Sequence, residues 1–120
     1  KSIRRLDFVD DNDLSSLYAG AELFIFPSLY EGFGFTPVES MACGTPVVSS
    51  TGGSLPEVLG DAAMIIEGFD RDAWAAEIGS LLADSARRAA LSAKGLSYVE
   101  RFTWDRVAER TWELYRNVCA

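Results

Sequence analysis

The stretch FPSLYEGFGFTPVESMACGTP, running from Phe26 to Pro46, holds the residues whose types and spacing best suit chemistry. Two carboxylates, Glu31 and Glu39, stand eight positions apart, and Gly32 and Gly34 lie between them. Paired glycines let the backbone approach a ligand closely, and a helix beginning just behind them would offer free N–H groups and a positive dipole end to an anion. A phosphate is the natural occupant. Carboxylates beside a phosphate repel it, so they must address another part of the same ligand. Vicinal hydroxyls fit, because a carboxylate accepts two hydrogen bonds from a diol. A nucleotide sugar carries such diols on both sides of its diphosphate, in the ribose and in the hexose, and one glutamate suits each side. The spacing is neither the G-x-G-x-x-G fingerprint of dinucleotide binding nor a P-loop with its lysine.

Plainer readings compete at each position. T-P-V-E is a capping box, with Thr36 as N-cap, Pro37 at the first helical position and Glu39 at the third. The competing reading of Glu31 is a solvated loop acid, and that of Gly32 and Gly34 is turn residues. Gly52 and Gly53 border the ligand in one reading and form an ordinary strand-to-helix turn in the other. Tyr30 and Phe33 are either contacts to sugar or base, or wedges holding the loop on its sheet. Cys43 reads as a packing residue and Glu57 as a cap.

The elements that must position this stretch alternate in period. RRLDFVD (4–10), ELFIFP (22–27), PVVSS (46–50) and AMIIEG (63–68) are short, rich in β-branched or aromatic residues and bounded by turn residues, so they read as strands. Between the first pair, Leu14, Leu17, Tyr18 and Ala21 recur at helical spacing behind possible caps at Asp11 and Asn12. Between the second pair lies the short helix that starts at Thr36 and ends at Gly44. Ser54 and Glu57 repeat the S-x-x-E box before a turn closed by Gly60. Strands alternating with helices predict βαβ units and a parallel sheet, which puts the glutamate loop at the carboxyl end of a strand, where open α/β sheets bind ligands. After Gly68 the pattern is wholly helical. Asp70 caps a helix with Trp74, Ile78, Leu81 and Leu82 on one face, and Ser85 begins another running towards Val99. Thr103 caps a last helix with a Phe102–Val107 staple and a stripe of Val107, Ala108, Thr111, Leu114, Tyr115 and Val118. Trp74, Trp104 and Trp112 read as core or interface residues. The expectation is a single domain over 1–120, with a parallel α/β part at 1–68 and a helical tail at 69–120.

Composition narrows the function. The chain has 120 residues, a net charge of −7 and no histidine. Ser-His-Asp and Cys-His catalysis are thus excluded within it, together with the usual His-based zinc sites. No Lys or Arg occurs between Arg5 and Arg71, so the first half offers no basic face to nucleic acid, and no cation is expected near the glutamate loop. No apolar run approaches the ~20 residues of a membrane span. Cys43 and Cys119 read as reduced thiols, and no basic-then-apolar leader follows Lys1. The expected location is the cytoplasm, with peripheral membrane association of a parent enzyme left open. Absence of an initial Met reads as a trimmed piece.

The run LYAGAELFIFPSLYEGFGFTPVESMACGTPVVSS resembles the donor-binding core of the retaining GT-B glycosyltransferases, whose two glutamates stand in an E-x7-E arrangement matched by Glu31 and Glu39. The likeness extends through SLPEVLGDAAMII and FTWDRVAERTWELY, and so over essentially the whole chain. It implies a Rossmann-like parallel sheet flanked by helices, the incomplete C-terminal domain of a GT-B fold with a helical C-terminal segment, and a nucleoside-diphosphate sugar as donor. It implies that Glu31 supports the reacting side of the sugar and that Glu39 binds the ribose hydroxyls. Gly32, Phe33, Gly34, Phe35 and Thr36 would then present backbone groups to the sugar and diphosphate. No metal or other cofactor is implied. Phe35 and Thr36 depart from the Leu and the small or Pro residue common in the family. The acceptor-binding N-terminal domain and the Arg/Lys pair of the early C-terminal domain have no counterpart in these residues. The chain alone is therefore expected to be inactive, and its incomplete sheet to self-associate through an uncovered edge. Two other functional classes remain open: a nucleotide- or phosphate-binding module without turnover, and a self-associating α/β scaffold unit.

Overall fold

The computed structural model describes residues 3–119. Three short strands form one parallel sheet in the order β1 (Phe24–Phe26), β2 (Val47–Ser50), β3 (Met64–Ile66). Phe24 pairs with Val47 and Phe26 with Ser49, while Val48 pairs with Met64 and Ser50 with Ile66. β2 is the central strand, and all four of its residues are buried. Val47 and Val48, both 0% exposed, point to opposite faces and join different clusters. Val47 packs with Val38, Met41, Leu55, Val58 and Leu59. Val48 packs with Ile66, Trp74 and Leu81. A central strand buried on both faces, with helices supplying the cover, is what an all-parallel sheet requires.

Those covering helices follow the sequence closely. α1 (Asp11–Ala19) starts behind Asp10, whose carboxylate accepts from the Asn12 N–H at 3.0 Å, so the cap is one residue earlier than expected. α2 is Phe35–Ala42 and α3 is Leu55–Leu59, followed by a 3-10 turn at Gly60–Ala62. α4 (Arg71–Ala83) is capped by Asp70, and its Trp74 and Leu81 are buried, whereas Leu82 faces out. α5 (Ser85–Val99) is capped by Asp84 and lies against α2, where Gly95 allows close approach to Met41 and the Ser92 hydroxyl donates to the Gly44 carbonyl. Lys94 meets Asp61 at 2.6 Å, and this contact holds the Asp61 carboxyl below its ordinary range. α6 (Trp104–Val118) is capped by Thr103.

Four expectations are corrected. Residues 4–10 form no strand, and Phe8 is 84% exposed: a strand exists only within a ladder, and no described strand lies beside this segment. α2 begins two residues earlier than the capping box predicts, with Gly34 as N-cap at φ 94° and no side-chain cap. Ser54 likewise makes no side-chain cap at α3, because its hydroxyl turns to another loop, and Glu57 is left exposed. Finally, the stripe of α6 covers nothing: no residue of that helix is buried, and Trp104 and Trp112 are exposed rather than core. Cys43 and Cys119 are both free thiols.

Candidate functional site

The strands β1 and β2 are parallel neighbours, so the segments leaving their carboxyl ends, 27–34 and 51–54, emerge side by side. The first carries Glu31 and passes directly into α2, and the second leads into α3. The two are tied at several points. The hydroxyl of Ser50, the last residue of β2, donates to the Ser28 carbonyl. The Ser54 N–H donates to the Glu31 carbonyl at 3.1 Å, and its hydroxyl lies 3.1 Å from both the Glu31 and the Phe33 carbonyls. Glycine is required at 52 and 53. A Cβ on Gly52 would fall inside van der Waals contact of the Ser28 carbonyl oxygen, and one on Gly53, at φ 62°, inside contact of the Glu31 carbonyl oxygen.

Glu31 is half-buried, and its Oε1 accepts from the Ser28 hydroxyl at 2.8 Å. It is therefore not a freely solvated loop acid. Glu39 lies in the middle of α2, exposed, with its Oε2 3.4 Å from the hydroxyl of buried Tyr18. The capping role is removed, since Thr36 is already inside the helix. Burial first, and then the adjacent Glu39 carboxylate, push the Tyr18 phenol above its ordinary value.

Gly34 is what turns the chain from loop into helix. Its φ of 94° is open to glycine and strained for other residues, and a Cβ there would stand 2.6 Å from Leu55 Cδ2. Immediately after it, α2 presents its unpaired N–H groups. Among the described helices α2 alone has neither a side-chain cap nor an acidic residue in its first turn. Its positive end is left uncompensated, beside Gly32, an exposed Phe35 and Thr36, and close to the half-buried Phe33. Phe33 acts as a wedge, with its ring centroid 4.7 Å from that of Phe35 and 5.7 Å from that of Phe102; Tyr30 stands exposed.

Sequence reasoning missed one feature of this region. Phe33 and Phe35 also line a groove of about 870 Å³ that Arg101, Arg106 and Arg110 line as well. The expectation that no cation comes near the loop is thus corrected: α6 and the turn that precedes it bring basic residues to this groove from the far end of the chain. Periodicity within a single helix carries no sign of that return. Among the described residues, no group of three or more His, Cys, Asp or Glu converges as a metal site.

The model of the family "Glycosyl transferases group 1" matches residues 1–97. The chain belongs to this family. It is 44% identical over 114 residues to O-antigen chain mannosyltransferase B of Escherichia coli, covering 95% of this chain and 30% of that protein. It is 37% identical over 111 residues to D-inositol 3-phosphate glycosyltransferase of Salinispora tropica, covering 91% of this chain and 23% of that one. Among solved structures, sucrose-phosphate synthase from Thermosynechococcus elongatus superposes with a TM-score of 0.78 at 34% identity, over 92% of this chain and 28% of that chain. The parallel α/β fold expected by resemblance is thus the fold of a GT-B glycosyltransferase over the matched region. The chain spans less than a third of the length of these relatives.

Proposed function

We propose that this chain is the later part of the nucleotide-sugar-binding domain of a retaining glycosyltransferase, which moves a sugar from a nucleoside diphosphate to an acceptor hydroxyl. The observation that carries the reading is the bare N-terminus of α2, the one described helix left without a cap or acidic compensation, set between two carboxylates. An anion that completes the helix end and carries hydroxyls for Glu31 and Glu39 satisfies both features, and a sugar nucleotide is such a ligand. In this reading the diphosphate lies at Gly32, Phe33, Gly34, Phe35 and Thr36, Glu39 holds the ribose, and Glu31 supports the sugar as positive charge develops on it. The acceptor is bound by a domain outside these residues. The relatives' names, a mannosyltransferase and an inositol-phosphate glycosyltransferase, support sugar transfer as the reaction class.

The test separates the two glutamates in the parent polypeptide. A hydrogen bond to a charged group is worth about 1.5–3 kcal/mol, so Glu39→Gln is expected to weaken nucleoside diphosphate binding roughly tenfold or more in calorimetry. Glu39 caps nothing and Gln keeps an acceptor oxygen for the Tyr18 hydroxyl, so the melting temperature is expected to change little. Glu31→Gln is expected to slow transfer while leaving nucleoside diphosphate affinity nearly intact, since that ligand has no sugar to contact. Equal loss of diphosphate affinity in both variants, or unchanged binding in Glu39→Gln, refutes this division of roles.

A further inference from the structure

We infer that Ser28 and Ser54, together with the glycine pair Gly52–Gly53, are positioning residues that aim the Glu31 carboxylate and hold its loop rigid during transfer. The inference rests on the reading of Glu31 given above and adds the groups through which that residue acts. Glu31 sits on a loop, and a loop carboxylate with free side-chain torsions samples orientations of which few serve a reacting sugar. Ser28 removes that freedom: its hydroxyl donates to Oε1 at 2.8 Å, which occupies one oxygen and leaves Oε2 for the ligand. Ser28 is itself held, because its carbonyl accepts from the fully buried Ser50 at the end of the central strand. The orientation of Glu31 is thereby referred to the buried central strand.

The main chain of Glu31 is held separately. Its carbonyl accepts from the N–H of Ser54 and lies 3.1 Å from the Ser54 hydroxyl, which is also 3.1 Å from the Phe33 carbonyl two residues on. These contacts demand that segment 51–54 lie backbone against backbone on segment 28–31, and any side chain at 52 or 53 would part them. The glycine pair and the serine thus serve one purpose, close approach followed by a lock. Groups that act in a transition state gain most when they are held before the reaction begins, so the lock has a kinetic effect out of proportion to its share of stability.

The test uses the parent polypeptide, the mannose and glucose esters of guanosine and uridine diphosphate as donors, and the free diphosphates as binding probes. Ser28→Ala is expected to lower kcat roughly tenfold, with diphosphate affinity within about twofold of the wild type. Ser28→Thr keeps the hydroxyl and is expected to recover most of the rate. Introduced into Glu31→Gln, Ser28→Ala is expected to cost little more, because two residues acting through one group are not additive. Gly53→Ala is expected to lower kcat and to speed amide hydrogen exchange at residues 31–34. A Ser28→Ala enzyme with wild-type kcat overturns the inference, and so does one whose diphosphate affinity falls as far as its rate. If Glu31→Gln is slow while Ser28→Ala is normal, only the positioning role falls. If Glu31→Gln itself turns over normally, the underlying reading of Glu31 fails with it.

Discussion

Tyr18 joins Glu39 to the core. Its ring is buried edge-on against Phe24 with centroids 5.4 Å apart, its carbonyl accepts from the Thr45 hydroxyl, and its phenol meets Glu39 at 3.4 Å. The phenol can donate to Glu39 only while protonated, and ionising it would set a second negative charge beside the carboxylate. Its folded-state pKa is raised above the unfolded value of about 10, so the folded state holds the proton more tightly. The associated stability is therefore fully present below pH ~10 and is lost as pH rises through the folded value. Tyr18→Phe removes this group and is expected to flatten the alkaline limb of a melting temperature–pH profile relative to wild type. Parallel profiles for the two proteins would exclude Tyr18 as the cause of alkaline unfolding.

At the scale of elements, the entry into α2 does the most with the least. Gly34 starts the helix at φ 94° against Leu55, which belongs to the fully buried core. Gly44, just past the far end of the same helix, also has positive φ, at 80°, but an added Cβ there would meet nothing closer than 3.7 Å. The two positions separate backbone strain from steric collision. Gly44→Ala carries strain alone, of about 1 kcal/mol. Gly34→Ala carries that strain and forces Leu55 aside, for an expected loss of ~2–4 kcal/mol. Urea unfolding of the two variants measures the difference, and equal losses would mean that Leu55 yields freely. The same variants report on the site, since displacement of the Gly34 backbone tilts the free N–H groups of α2.

The whole molecule has a radius of gyration of 16.5 Å and extents of 61 × 33 × 30 Å. A compact domain of this length would have a radius near 14 Å. The excess reflects α6, which buries no residue and carries Trp104, Val107, Trp112, Leu114, Tyr115 and Val118 on its surface. Aromatic side chains of this size present ~150–250 Å² each, so the stripe exceeds the patch of ~300–600 Å² usual on a monomer. β1 adds an edge with no partner strand among the described residues. The purified 120-residue chain is expected to associate in sedimentation velocity, and removal of residues 104–120 to lower that association with little change in melting temperature. The chain is also expected to transfer no sugar from any nucleotide sugar, because it spans less than a third of its relatives. A monodisperse monomer, or measurable transfer, contradicts these expectations. No helix of the described residues is long and apolar enough to cross a membrane.

What the sequence determined by itself is what local chemistry dictates. The three strands around Ile25, Val48 and Ile65, the helices capped by Asp70 and Thr103, and the placement of the glutamate loop after a strand all follow from period, cap and turn residues within a few positions of each other. Residues 4–10 have strand composition but no ladder, the T-P-V-E box yields to Gly34, and α6 has a core-like stripe with nothing beneath it. For residues 4–10 and for α6 the lack of a neighbour among the described residues outweighs the local preference, and at α2 the backbone freedom of Gly34 outweighs the box. Tertiary structure alone decided the site's supports: Tyr18 on Glu39 across 21 positions, Ser54 on Glu31 across 23, and the arginines of α6 and the turn before it in one groove with Phe33. The Ser54–Glu31 pairing arises because parallel strands bring the loops at their carboxyl ends together whatever separates them in sequence, the other two come from how the helices pack, and no periodicity records which residues will meet.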